Sequence, residues 1–452
     1  MRLNNASAFA GQEVAPPVAH PATRQNYILA LLFCMALFYQ LDRNLVFVTQ
    51  ELIKAEFGLS DTQLGLVSGF AFGLANGLAG FPMGWLNDRV NRARLLSACI
   101  MIWSGMTVAC GFATNFMTFF LARFSVGAAE AGGSPLALSL ITDLFPPAQR
   151  GSKIGIMSAG FALGTAVSAL VGAYIAAHLG WRAAFFICGL PGVLLGLLFL
   201  FTVKEPERTR TSDELPTPAR ALPRTIALLL VTPGLRVVFL GTALTSLISG
   251  GVLSWWASFM MRAHRLDLPT VGLISTISLG LCALVCTVAA GYVADRARQR
   301  TRGGHLIVIA GLALVNLASG LIALWTPSTA VMIAALCVVG GTTTAYLGPR
   351  GAILSELAPP HLRGVTFTIP IVISSIVGVA IGGVMVGMLS DFAATAIPGI
   401  EPLRVAMSAV LCMHLPVAAL YFLTARKMAR DDMVAAVGPA STSGSSPDRH
   451  HG

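Results

Sequence analysis

This sequence predicts an all-α polytopic membrane protein: twelve transmembrane helices arranged as two pseudo-symmetric six-helix bundles. Three observations carry that reading. Of its 452 residues, 55% are hydrophobic and 11% charged, where a soluble chain typically carries about a quarter charged residues. Apolar runs of membrane-spanning length recur along the chain. The second half also repeats spaced residues of the first, in the same order.

A bilayer-crossing helix takes about 20 mainly apolar residues. Runs of that size cover 27–48, 62–86, 95–113, 116–142, 151–177 and 182–203. The later half supplies 235–260, 268–294, 304–325, 329–353, 364–389 and 402–425. No small-residue cleavage site follows the first run, so it reads as a retained helix and not a removed signal. The expected organisation is a polar tail 1–26, a bundle 27–203, a linker 204–234 rich in Arg, Pro and Thr, a bundle 235–426 and a tail 427–452.

The formal charge of +10 does not mark a nucleic-acid partner, because the basic residues are spread thinly between apolar runs. They set orientation instead. With the N-terminus inside, most of the 30 Lys and Arg share the side of the termini, while Lys54, Arg182, Arg262, Arg265 and Arg404 face the other. The positive-inside rule then places both termini in the cytoplasm. The excess of Arg over Lys, with many Ala and Gly, points to a bacterial inner membrane. The eight Cys show no CxxC or Cys/His ligand spacing and read as small buried hydrophobes. No metal or cofactor is expected. The His450-His451 pair ends a low-complexity tail and reads as solvated. Asn5-Ala6-Ser7 fits a glycosylation acceptor but falls on the cytoplasmic side.

Leu59, Gly65, Leu66, Gly84, Asp88 and Arg89 match Leu266, Gly272, Leu273, Gly291, Asp295 and Arg296 at an offset of 207. Asp143 to Gly151 matches Glu356 to Gly364 at an offset of 213, with Arg150 on Arg363. Parallel six-span repeats are one architecture of secondary transporters. Its corollary is a cavity between the halves near the midplane, opened alternately by rocking.

Gly84-Trp-Leu-Asn-Asp88-Arg89-Val-Asn-Arg92 resembles the loop 2–3 signature of the major facilitator superfamily, with Gly291 to Arg300 as a weaker second copy. The pairs Asp143/Arg150 and Glu356/Arg363 resemble that superfamily's cytoplasmic gate motifs. Four stretches are similar to its spinster group: Tyr39-Gln-Leu-Asp42-Arg43, Phe57 to Leu66, Arg123 to Ala131, and Asp143-Leu-Phe. Anion–cation symporters of the superfamily also carry an Asp-Arg pair in helix 1. The superfamily resemblance implies its twelve-helix fold and, between the halves, helices 2 and 11 face to face. Spinster resemblance implies a lysophospholipid or sphingosine-phosphate-like cargo.

Asp42, Arg43, Arg123 and Glu130 are ionisable residues well inside first-half spans. At about 2.5–3.5 kcal/mol each, four left unpaired cost on the order of 10 kcal/mol. They must face protein or water and find partners. Arg123 and Glu130 share one helical face, roughly 10 Å apart along the axis, with Gly127 between them letting a partner approach. Asp42 and Arg43 project about 100° apart, so one can reach helix 4 while the other meets the cavity. The second half places Leu336 at Arg123 and Thr343 at Glu130, so coupling chemistry is expected in the first half. Glu130, with Asp42, is the expected proton-coupling carboxyl. Burial and neighbouring Arg act oppositely on a carboxyl, so changing access to water would change its charge. Arg43 and Arg123 stay charged and would hold either the carboxylates or an anionic substrate. The static alternative is an ion pair locking helices 1 and 4.

At the loops, Asp88 and Asp295 can cap a helix N-terminus of the other half. Arg92, Arg150 and Arg363 can pair with Asp143 and Glu356, biasing a conformational equilibrium; Gly84, Arg89 and Arg296 complete these gate motifs. For Arg94, Arg298, Arg300 and Arg302 topology control alone is expected. Gly69, Gly73 and Gly77, then Gly378/Gly382 and Gly383/Gly387, have spacings that let helices approach, as do Gly160 and Gly164. The proline-containing glycine motif of antiporters is missing from helix 5. Candidate pocket residues are Tyr39, Ser246, Ser249, Trp255 with Trp256, Tyr346 and Arg350. Arg350, where the first half has Ala137, either touches substrate or snorkels to the cytoplasm. His414 reads as a packed histidine.

The expected function is a proton-coupled, alternating-access secondary transporter, a monomer in the lipid bilayer that moves an amphipathic anionic small molecule or lipid. A cavity with two Arg and apolar walls suits an anionic head on a hydrocarbon tail. The alternative cargo is a small organic anion or a drug. The sequence holds no HExxH, GxSxG or Walker loop, which speaks against an intramembrane enzyme or an ATP-driven pump. A non-transporting sensor is the remaining alternative.

Overall fold

The structure is a computed structural model and describes residues 22–206, 222–301, 303–358 and 362–437. The expected tails through residue 21 and from 438, residues 207–221 of the linker, Arg302, Asn5, Ser7 and the His450-His451 pair lie outside the described residues.

Among the described residues, ten helices are long and apolar enough to cross a membrane. The pair Asp61–Gly80 and Pro82–Arg89, meeting at 44°, brings this to eleven if it is one bent span. The run at 116–142, expected as a single span, is two helices, Phe116–Glu130 and Gly133–Leu144, parted by a turn at Ala131 and Gly132.

Proline explains the breaks. In a helix its ring meets the carbonyl four residues back and offers no N–H to it. Pro135 strikes at Ala131, Pro349 at Ala345 and Pro416 at Cys412; the helices Phe116–Glu130, Thr329–Ala345 and Pro402–Cys412 end at or beside those positions. Pro191 and Pro370 lie inside Trp181–Thr202 and Arg363–Ile373 without ending them. Wider π-helical turns occupy Leu66–Phe70, Ser168–Gly172, Thr276–Cys282 and Ser374–Gly382. Such turns are rare and cluster at functional positions.

The described residues divide into two compact units, one of 22–58 with 71–206 and 222, the other of 59–70 with the described residues between 223 and 437. In the first, Leu32, Met35, Trp103, Phe119, Phe185 and Phe199 are fully buried. The small-residue positions Gly160 and Gly164 take the backbone of Phe33 and Leu37 against them, so here the spacing serves the pairing of Pro147–Val167 with Ala22–Phe57. The outer faces are apolar: Leu194 is 58% exposed and Phe201 80%. A soluble protein rarely exposes such continuous surface; hydrocarbon is the solvent that fits it.

In the second unit Trp255, Trp256, Phe259 and Tyr421 form the core. Gly378 and Gly382 pack on Ser246, Leu247 and Gly251 of the helix Pro233–His264, while Gly383 and Gly387 pack on residues 61–69. The two glycine pairs, alike in spacing, thus serve different partners. The segment 59–70 opens with a capping box: Ser60 Oγ accepts from Gln63 N at 3.2 Å and Gln63 Oε1 accepts from Ser60 N at 3.0 Å. Asp391 caps the same turn, accepting from Asp61 N at 3.0 Å, Thr62 N at 2.8 Å and Thr62 Oγ1 at 2.6 Å.

Candidate functional site: a buried charge cluster and an uncharged pocket

Three helices of the first unit bring the intramembrane charges together. Ala22–Phe57 carries Tyr39, Asp42 and Arg43; Arg92–Gly111 carries Trp103 and Ser104; Phe116–Glu130 carries Arg123, Gly127 and Glu130. Asp42 and Arg123 have no exposure and Glu130 has 1%; Arg43 is half-buried. Side chains of this kind belong inside a bundle because lipid offers them no partner.

The charges meet neutral groups first. Ser104 Oγ donates to Asp42 Oδ2 at 3.1 Å, and Arg123 Nη1 donates to the Asp42 backbone carbonyl at 3.4 Å. Both guanidinium groups lie over Phe72, with Cζ 4.9 Å (Arg43) and 5.3 Å (Arg123) from its ring centroid. Such cation–π contacts hold a cation without neutralising it. No arginine–carboxylate ion pair closes within the cluster among the described residues. Asp42 Oδ1, both carboxyl oxygens of Glu130, and Nε and Nη2 of Arg123 are buried with no hydrogen-bond partner there. A locked ion pair between helices 1 and 4, the static alternative to coupling, is not what this geometry contains. Buried polar atoms without a partner are rare and costly.

Gly127 has the place between Arg123 and Glu130 that the sequence suggested, but what approaches it is backbone. A Cβ there would strike the carbonyl and Cα of Phe72, and Asn76 Nδ2 donates to Gly127 O at 3.2 Å. This close approach sets Phe72 beneath the two arginines. Tyr39 packs edge-on against Trp103 and Phe161, with centroids 5.9 and 5.4 Å away.

The second unit has a pocket of its own. It holds about 470 Å³ of empty space, its open mouth included, and is lined by residues of the helices Pro233–His264, Gly304–Trp325 and Thr329–Ala345, with Tyr346 and His414. Thr343, the counterpart of Glu130, lines it beside Asn316, whose Nδ2 donates to Thr342 Oγ1 at 2.8 Å and Thr343 Oγ1 at 3.2 Å. No Asp, Glu, Lys or Arg lines this space among the described residues. Ser249 and Tyr346 line it; Ser246 does not, sharing a hydrogen bond of 2.8 Å with Ser374. Trp255 also turns away, donating from Nε1 to Gly383 O at 2.9 Å, and Trp256 is the tryptophan of the pocket. His414 is buried, as a packed histidine would be, yet reaches the pocket wall. Asn316 and Ser104 were open to discovery as polar residues within apolar runs; Phe72 gave no signal, being one apolar residue among many.

At the loops, Arg92 is 4% exposed and pairs with Asp143, with Ser139 Oγ at 2.8 Å and with Glu205 Oε1 at 2.7 Å. Glu205 also accepts from Ala93 N at 3.0 Å, which places a carboxylate on a helix N-terminus. Arg150 donates from Nε to Phe145 O at 3.0 Å, and so closes its own turn. Glu356 pairs with Arg298 at 2.9 Å, an arginine expected to serve topology alone. Arg89 stacks over Trp85 at 4.3 Å. Asp88 accepts from Asn87 Nδ2 at 3.2 Å. Asp295, 74% exposed, lies 3.8 Å from His305 Nε2, and Arg296 is exposed. A Cβ at Gly84 would meet nothing within 4 Å. The side chain of Arg363 lies outside the described residues. No group of three or more His, Cys, Asp or Glu among the described residues could hold a metal ion.

The Major Facilitator Superfamily model matches residues 32–383. An MFS-type efflux pump of Mycolicibacterium smegmatis is 28% identical over 394 residues, covering 86% of this chain and 90% of that one. A probable sulfoacetate transporter of Cupriavidus necator is 29% identical over 318 residues, 66% of this chain and 71% of its own. The crystal structure of a bacterial homolog to the human lysosomal transporter Spinster, inward-facing and occupied, superposes with a TM-score of 0.79 at 26% identity, over 91% of this chain and 99% of that one.

Proposed function

Since the chain belongs to the Major Facilitator Superfamily, we propose that it is a proton-coupled secondary carrier of small organic anions. It is an integral membrane transporter and not an enzyme. The cargo named for one relative, sulfoacetate, favours a small organic anion over the lysophospholipid or sphingosine-phosphate-like lipid that spinster resemblance implies.

The observation that supports the coupling is the state of Glu130: both oxygens are buried and without a hydrogen-bond partner among the described residues, on the helix that also holds Arg123. In this reading the anion binds Arg43 and Arg123, which Phe72 and a backbone carbonyl now engage. Protonation of Glu130, with Asp42, frees the arginines for the anion, and the carboxylate reclaims them when changed access to water lets the proton go. Carboxylate and anion thereby compete for the same arginines, which is sufficient to couple the proton and anion fluxes. The break at Ala131 and Gly132 directly beside Glu130 supplies a place where the helix can bend between states. The remaining parts of the proposal are twelve crossings, with 116–142 counted as one broken span, two bundles joined through 204–234, alternating access, both termini in the cytoplasm of a bacterial inner membrane, and a monomer.

The test is anion-dependent proton flux in reconstituted vesicles. Sulfoacetate and sugar acids are offered as substrates to the wild type and to Glu130→Gln. Proton flux in the wild type that vanishes in the variant, with the variant still folded, supports the reading; undiminished flux in the variant removes Glu130 from it.

A further inference from the structure

We propose that Cys282 and Cys337 form a lipid-facing dithiol site in the second unit that captures a lipid-soluble trivalent arsenical across both sulfurs. The site lies apart from the charge cluster of the first unit, and nothing in it depends on transport.

The two helical segments that carry the pair, Thr276–Cys282 running on into Ala283–Arg300, and Thr329–Ala345, meet along a ladder of contacts. A Cβ at Gly340 would strike the Ser278 carbonyl, so backbone approaches backbone at that rung. Further along, the Cys286 sulfur lies against Gly341, and Thr287 Oγ1 shares a hydrogen bond of 2.9 Å with Thr344 Oγ1. Both sequences ascend together, so the segments run in parallel. Cys282 sits between Ser278 and Cys286, one turn from each, and Cys337 sits one turn before Gly340 and Gly341. Helical side chains lean toward the N-terminus, which carries the Cys282 sulfur back to the level of Cys337. The two thiols there are close enough to share a hydrogen bond. Cys286 stands outside the pair, with its sulfur turned onto Gly341.

Exposure sets the character of the ligand. Cys282 and Cys337 are free and half-buried, where the sequence led us to expect buried hydrophobes. Around them Leu281, Val285 and Val338 are exposed apolar side chains, the surface that hydrocarbon covers. A reagent that dissolves in hydrocarbon therefore reaches the thiols, and a charged one does not. Ligand number sets the element. No group of three or more His, Cys, Asp or Glu gathers among the described residues, whereas a structural zinc ion takes four ligands. Arsenic(III) that carries one aryl group needs two thiols and no more.

The step balances without an oxidant. With phenylarsine oxide two As–S bonds form, the arsenic–oxygen bond breaks, and the two S–H protons leave with that oxygen as one water. Arsenic stays trivalent and keeps its phenyl group, which lies in the lipid. Once the first sulfur is bound the second attacks within the same molecule, so capture by the pair exceeds capture by one thiol by about a hundredfold or more.

The experiment uses the full chain in nanodiscs with radiolabelled phenylarsine oxide, washed with excess glutathione. The wild type is expected to keep one label per chain through that wash and to release it to 2,3-dimercaptopropanol. Cys282→Ser and Cys337→Ser, each alone, are expected to release the label to glutathione at least about a hundredfold more readily. Cys337→Ala repeats the test with an apolar residue, and thermal transitions show that each variant folds. Cys286→Ser and the exposed Cys412→Ser are expected to hold the label as the wild type does. A wild type that yields its label to glutathione, or a label held as firmly by both Cys282→Ser and Cys337→Ser, overturns the proposal. Because retention is read without substrate or proton gradient, this site and the coupling role of Glu130 can fail separately.

Discussion

Arg262 and Asp61 face each other through two parallel hydrogen bonds, Nη1 to Oδ2 and Nη2 to Oδ1, each 2.8 Å long. Ser390 Oγ adds a third to Asp61 Oδ2 at 2.6 Å. The Asp61 side chain is 6% exposed and that of Arg262 19%. Such forks are the strong form of ion pair, and removing one member strands the other. Arg262→Gln is expected to destabilise the protein by about 2–3 kcal/mol, read as a lower thermal transition in detergent. The double variant with Asp61→Asn should lose less than the two single losses added together.

Gly127 admits the backbone of Phe72, and through it the ring that both arginines share. Gly127→Ala forces the two helices apart against backbone atoms that cannot rotate away. The expected cost is about 1–3 kcal/mol of stability, with a larger loss of transport than a Leu-to-Ala change on the lipid face at Leu194 produces. Equal effects of the two substitutions on transport would show that Phe72 does not position the arginines.

Pro135 interrupts the helix beside Glu130. Pro135→Ala restores an N–H opposite the Ala131 carbonyl and removes the clash, so the thermal transition is expected to rise. Transport is expected to slow, because a continuous helix resists the bend that access to Glu130 requires. Stopped-flow proton uptake in vesicles reads the second effect; an unchanged or faster rate would show that the break is not used.

Glu205 holds the start of the helix Arg92–Gly111 from two sides, through Arg92 Nε and Ala93 N. Glu205→Gln weakens the first contact and breaks the charge–dipole match of the second. A loss of about 1–2 kcal/mol is expected, larger than for Arg150→Gln, whose guanidinium bonds its own turn. Urea or thermal unfolding of the purified variants gives the comparison.

The helices were legible because lipid demands long apolar runs, and Asp42, Arg43, Arg123 and Glu130 stood out because that same demand makes a charge conspicuous. Their partners were hidden for the converse reason: Phe72 in an apolar run carries no mark, and its role comes from the glycine opposite it, 55 positions along the chain. Asp61, Arg262 and Asp391 lie where charges are ordinary, near helix ends, so nothing in the sequence singled them out as a cluster. Glu205 fell in a stretch read as linker. Arg298 looked like one of several interchangeable loop arginines, and only its reach to Glu356 distinguishes it. The break at 131–132 could have been found, since Pro135 sits in the middle of the expected span with two glycines just before it.

Residues 59–70 associate with the later half of the chain although they are synthesised with the earlier one. A fragment beginning at residue 223 would carry Arg262, Ser390 and Asp391 as receptors for a peptide it does not possess. Severing this carrier at its midpoint therefore yields no pair of self-sufficient modules. One piece must lend the other a dozen residues, and the cut protein reassembles only where that strand of sequence finds its way back.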